Sequence, residues 1–216
     1  MLDTSRRIAF DSNHAAFRDQ VRKFFAKELV PHLDRWEAEG LVDRGFWRAC
    51  GEAGILCPNV PEEYGGLGLD FGYNAVIDEE LAYLGSSAGI TLQNDITAEY
   101  FVSYGSPEQK AKYLPRMISG ECITAIAMTE PGAGSDLQGI RTTAVRDGNH
   151  YVINGSKTYI TNGQNADVVI VVAKTDPDKG AKGTSLILVD ADTPGFSRGR
   201  NLVKIGQHSA DTSELF

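Results

Sequence analysis

The hydrophobic positions change rhythm once along this chain, near Gly120. Before that point apolar residues recur every three or four positions, the spacing of helices with one buried face. Over residues 14–39, Phe17, Val21, Phe24, Phe25, Leu33 and Trp36 share such a face. Pro31 interrupts it. A proline ring lacks an amide donor and clashes with the preceding turn, so the helix is expected to kink or split there, with Gly40 as its stop. Residues 46–53 read as a short helix ending at Gly54, and 71–84 as another with Val76, Ile77, Leu81 and Leu84 inward. A further helix is expected over 87–104. The next has the clearest start: Ser106 as N-cap, Pro107 at the first helical position and Gln109 completing a capping box. The stretch 58–69, rich in Pro and Gly, is a loop.

After Gly120 the vocabulary shifts to Val, Ile, Thr and Tyr between glycine turns. Strands are expected over 123–128, 141–146, 151–157, 168–174, 185–189 and 202–205, with Asp147-Gly148-Asn149 as a hairpin turn and 176–183 as a charged loop. A helical block followed by a strand block predicts an α+β fold: an all-helical domain over 1–120 and a β-barrel or sandwich-like domain over 121–216. Glu214-Leu215-Phe216 reads as a strand interrupted in mid-run, so the β domain is expected to be truncated, with an open final edge.

Composition narrows the chemistry. The net charge of −8 disfavours a nucleic-acid backbone and means that an anionic ligand needs a local basic patch. Cys50, Cys57 and Cys122 form no CxxC pair and read as reduced thiols. His14, His32, His150 and His208 are dispersed, so no metal site is expected. Met1 to Arg7 leads into no apolar segment, and no run is long enough to span a bilayer, so neither secretion nor membrane insertion is expected.

Two segments carry candidate chemistry. Met128-Thr129-Glu130-Pro131-Gly132-Ala133-Gly134-Ser135-Asp136 follows an apolar strand, and Tyr159-Ile160-Thr161-Asn162-Gly163 follows another. Glycines let backbone approach a ligand closely, and loop amides and hydroxyls can converge on an electron-rich edge. Alone, the first segment reads equally well as an ordinary inter-strand connection, and the second reads better as a strand ending in an Asn-Gly turn. Together, in this order, they read as two corners gripping one flat ligand. The glycine spacing does not make a Rossmann fingerprint.

With Pro61-Glu62-Glu63-Tyr64-Gly65-Gly66, Ser106-Pro107-Glu108-Gln109-Lys110 and Asn154-Gly155-Ser156-Lys157, these corners make nearly the whole chain resemble the N-terminal and middle parts of the acyl-CoA dehydrogenase family, closest in its tail to long-chain or branched-chain members. The resemblance implies FAD as cofactor, held by Ile126, Ala127, Met128, Thr129, Ser135, Tyr159, Ile160 and Thr161, with Met128 and Thr129 nearest the pyrimidine edge. It implies an acyl-CoA substrate touching Ser135, Ala181 and Lys182, with residues 92–99 along the acyl channel. It implies α,β-dehydrogenation of the thioester, with electrons passed to an electron-transfer flavoprotein, in a homo-oligomer of the bacterial cytoplasm or the mitochondrial matrix. The family's catalytic base, a glutamate of a C-terminal helical domain, matches no residue here; it is expected beyond Phe216, and the chain alone is expected to be inactive. Glu79, Glu80, Asp95 and Glu99 read as exposed or network-paired carboxylates of the helices, and Glu130 as a structural residue of the Glu-Pro turn. Two alternatives stay open: an acyl-CoA oxidase using oxygen, and a non-catalytic flavin- or acyl-CoA-binding module.

Overall fold

The computed structural model describes residues 10–216; the Met1 to Arg7 lead lies outside the described residues. Helix α1 (Ser12–Glu28) starts where the Asp11 carboxylate accepts the amides of Asn13 and His14. Pro31 splits the next segment into a 3-10 turn (Val30–His32) and α2 (Leu33–Glu39), and Gly40 closes α2 at φ 71°. Then come α3 (Arg44–Glu52), α4 (Phe71–Tyr83), α5 (Ala98–Tyr104) and α6 (Pro107–Ile118), the last with its capping box formed. Val21, Phe25, Trp36, Ile77 and Leu81 are buried, as their spacing requires.

The expected helix over 87–104 is not uniform. Ala88 and Gly89 take φ of 49° and 74°, and Leu92–Thr97 form a π-helix before α5. Tertiary bonds explain both. Asn162 donates to the Gly89 carbonyl at 2.9 Å, and a Cβ on Gly89 would lie 2.1 Å from the Asn162 Oδ1. Within the π-turn, Gln93 Oε1 accepts the Thr124 amide at 2.9 Å and Asn94 Oδ1 accepts the Cys57 amide at 2.7 Å. Partners outside the helix outweigh the local preference for regular α geometry.

The strands form two sheets. In the first, β5 (Val168–Lys174) is central: β1 (Thr124–Ala127) runs parallel along one side and β6 (Thr184–Asp190) antiparallel along the other. The end of β5 meets β2 (Thr143–Asp147), which forms a hairpin with β3 (His150–Asn154). In the second, β8 (Thr212–Leu215) lies between β4 (Lys157–Thr161) and β7 (Arg198–Asn201). One apolar cluster joins the helices to Ile123, Val168 and Ile170; a second fills the space between the sheets with Ala127, Ile160, Val169 and Leu215. The architecture is therefore α+β, a helical block followed by a mixed-sheet block.

Three strand expectations are corrected. The run 151–157 breaks at Gly155, and its end becomes the start of β4 in the other sheet. A Cβ at Gly155 would lie 2.2 Å from the Thr142 hydroxyl, so only glycine lets the residue leading into β2 pass this close. Residues 202–205 form no strand: Lys204 reaches the Ala210 carbonyl and, at 2.8 Å, the Thr212 hydroxyl, drawing the segment off the ladder. The last strand is not an edge, because β8 is paired on both sides.

Candidate functional site

Because β1 and β5 run parallel, the loop after β1 and the loop after β5 leave from the same end of the first sheet. The loop after β1 carries Met128 to Thr142. It turns back at once: the Glu130 amide donates to the Ala133 carbonyl at 2.9 Å and the Ala133 amide returns a bond at 3.1 Å. Gly132 and Gly134 stand in open space, and Ser135 is exposed.

The two corners meet. The Thr158 amide donates to the Thr129 carbonyl at 2.9 Å, and Lys157 Nζ donates to the Met128 carbonyl at 3.0 Å. Between them lies a buried ion pair that the sequence reading missed: Lys157 Nζ sits 2.9 Å from Glu130 Oε1, both side chains nearly inaccessible. Glu130 also accepts the Arg141 amide at 2.6 Å, the Thr142 amide at 3.0 Å and the Thr142 hydroxyl. Its carboxylate thus closes the loop from residue 130 to 142 and fastens it to β4. Burial pushes its pKa up, but the Thr142 hydroxyl, the Lys157 ammonium and the two amides outweigh that and bring it to about 2. Burial pulls the Lys157 pKa down against the opposing effect of Glu130. The signal was a lone lysine at the first position of the strand Lys157–Thr161.

The predicted residues fall into four groups. Met128, Thr129 and Thr161 are half-buried at the corners, and Tyr159 and Ser135 are exposed beside them. Tyr159 is 68% exposed and holds φ at 58°, a region that bulky side chains avoid. An exposed aromatic ring kept in a strained conformation is the pattern of a ligand contact. Ala127 and Ile160 point into the inter-sheet core, so only their backbone is available, and Ile126 packs on the helical cluster. Ala181 and Lys182 lie exposed in the β5–β6 connection (Pro177–Gly183), at the sheet end from which the Met128 loop also departs. In the segment 92–99, Gln93, Asn94 and Thr97 are buried and hydrogen-bonded within the protein, while Ile96 and Glu99 are exposed.

The other carboxylates considered have structural partners. Glu80 accepts Arg18 at 2.9 Å and Arg22 at 2.8 Å, joining α1 to α4, and Arg18 also pairs with Glu79 at 2.7 Å. Asp95 accepts Asn74 at 2.9 Å, and Glu99 accepts Asn59. All three cysteines are free and buried. Among the described residues no cluster of His, Cys, Asp or Glu could hold a metal ion, and no helix is long and apolar enough to cross a membrane.

Known proteins share this fold. The family model for the acyl-CoA dehydrogenase N-terminal domain matches residues 11–121, and that for the acyl-CoA dehydrogenase middle domain matches 125–216. The chain is similar to a mitochondrial long-chain specific acyl-CoA dehydrogenase of Sus scrofa, with 48% identity over all of this chain and 51% of that protein. It superimposes on an acyl-CoA dehydrogenase structure from Geobacillus kaustophilus with a TM-score of 0.93 and 55% identity, covering 96% of this chain and 55% of that one. It likewise matches a structure of the electron transferring flavoprotein of Acidaminococcus fermentans, with a TM-score of 0.85 and 33% identity, covering 97% of this chain and 56% of that one. The chain spans about half the length of the curated relatives it matches. On its fold, its joined corners and both family matches, this chain belongs to the acyl-CoA dehydrogenase family.

Proposed function

We propose that this chain is the flavin-holding half of an FAD-dependent acyl-CoA dehydrogenase, an oxidoreductase of fatty acid β-oxidation. The observation that carries the reading is the meeting of the two corners, Thr158 amide to Thr129 carbonyl at 2.9 Å, with the strained Tyr159 ring exposed at their side. The residues present suit a flat heteroaromatic ring: Thr129 and Thr161, both half-buried, and exposed Ser135 bring hydroxyls to the two corners, and open space flanks Gly132 and Gly134.

In this reading FAD is held by Ile126, Ala127, Met128, Thr129, Ser135, Tyr159, Ile160 and Thr161, with the main chain of Ala127 and Ile160 as their contribution. The acyl-CoA thioester meets Ser135, Ala181 and Lys182, where the lysine supplies local positive charge against a net charge of −8. Bound FAD supplies the hydride acceptor for α,β-dehydrogenation. The chain's own residues orient the ring and the thioester and present hydroxyl and amide donors to an electron-rich edge. None of the carboxylates considered is assigned as base. Glu130 is held ionised by its donors, and Glu79 and Glu80 are paired with arginines. The α-proton is removed by a carboxylate outside these 216 residues, in the whole protein. That protein divides here into a helical domain over 1–120 and a β domain over 121–216, forms a homo-oligomer, and passes electrons to an electron-transfer flavoprotein in the bacterial cytoplasm or the mitochondrial matrix.

The 216-residue chain is expected to quench FAD fluorescence on binding, yet to yield no product from an acyl-CoA with an artificial electron acceptor. Steady product formation would show a base within the chain. Peroxide release under air would make it an oxidase. Failure to bind FAD at all would remove the flavin assignment.

A further inference from the structure

The Glu130–Lys157 pair has more connections than holding two strands together requires. Lys157 divides its donors between the Glu130 carboxylate at 2.9 Å and the Met128 carbonyl at 3.0 Å. Across a trans peptide the carbonyl and the amide of the next residue point in opposite directions. With the Met128 carbonyl turned to Lys157, the Thr129 N–H is turned away from it, and among the described residues no backbone or side-chain acceptor takes that N–H. The Thr129 carbonyl is fixed in turn by the Thr158 amide at 2.9 Å. Both peptide planes around Thr129 are therefore locked from the β4 side, and one amide donor is presented outward.

We infer that Lys157 and Glu130 are positioning residues, which fix the Thr129 amide as a pre-oriented donor to the electron-rich edge of the bound ring. This rests on the flavin reading above. Lys157 sets the peptide plane. Glu130 keeps that ammonium in place and ties the far end of the loop to it through the Arg141 and Thr142 amides. A donor aimed before the ligand arrives needs no reorganisation on binding, and it favours whichever redox state carries more negative charge at that edge. The alternative is a purely structural clamp, which would affect folding but not the electronics of the bound flavin. The two differ in what they change, so they can be separated.

The test uses the 216-residue chain with FAD as probe, comparing wild type with Lys157→Met, Lys157→Arg and Thr142→Val. Affinity is read by flavin fluorescence quenching, the environment of the ring by its absorption bands and midpoint potential, and folding by urea unfolding of the apoprotein. Lys157→Met is expected to weaken FAD binding by about ten-fold and to move the potential of the bound flavin to a more negative value, because the reduced ring loses an aimed donor. Lys157→Arg, which can still reach a carbonyl and a carboxylate, should recover most of both. Thr142→Val loosens Glu130 without stranding a charge; it should show a smaller shift of the same sign, and it carries the test if Lys157→Met does not fold. A Lys157→Met or Thr142→Val protein that unfolds more easily but binds FAD with wild-type affinity, spectrum and potential would overturn the inference and leave the pair a clamp. Wild type that binds no FAD would instead overturn the flavin reading on which it rests.

Discussion

Replacing Glu130 by Gln keeps the shape of the side chain and removes its charge, so it isolates what that buried carboxylate contributes. The pKa of Glu130 falls from 4.5 to about 2 in the folded protein, and each unit is worth about 1.4 kcal/mol, so ionisation stabilises the fold by about 3 kcal/mol. That lies at the lower end of the ~3–5 kcal/mol expected when a buried ion pair is broken, since Lys157 would be left charged beside neutral oxygens only, the Met128 carbonyl and the new amide oxygen. The sign follows from the depressed value. The contribution is complete above the unfolded pKa of 4.5, and it is lost as pH falls through the folded value of about 2. Urea unfolding of wild type and Glu130→Gln at a series of pH values checks this. The stability gap should be about 3 kcal/mol near neutrality, and less than half of that should remain at about pH 3. A gap of equal size at both pH values would refute the argument, because it would then come from packing and not from charge.

Other expectations can be measured on the same apparatus. Tyr159→Gly should leave stability unchanged or raise it by up to ~1 kcal/mol, since glycine tolerates the φ of 58° that tyrosine does not, while weakening FAD binding in the fluorescence titration. Glu80→Ala strands the buried Arg18 with Glu79 as its remaining partner and should cost about 3 kcal/mol; an unchanged urea midpoint would mean that the α1–α4 network contributes nothing. Asn162→Ala removes bonds to the Gly89 and Thr124 carbonyls and should cost ~1–3 kcal/mol, with Asn162→Asp recovering little because an ionised carboxylate has no proton to donate to either carbonyl.

The sequence by itself determined the elements whose signals are local. Repeats of three and four placed the inward faces of α1, α2 and α4, the Ser106–Gln109 box placed the start of α6, and an unbroken apolar run placed β5 over Val168–Lys174. The two glycine-and-hydroxyl segments were legible too, and with them the family. Tertiary structure decided the rest. It broke the run after residue 151 between two sheets at Gly155, because Thr142 needs the space a Cβ would fill. It widened the helix before α5 into a π-turn to satisfy Thr124 and Cys57, and it seated β8 between β4 and β7. Above all it paired Glu130 with Lys157, 27 residues apart in the chain. Periodicity reports only which face of an element is apolar, whereas a buried charge is tolerable only beside one specific partner, and that partner is chosen by how the strands come together.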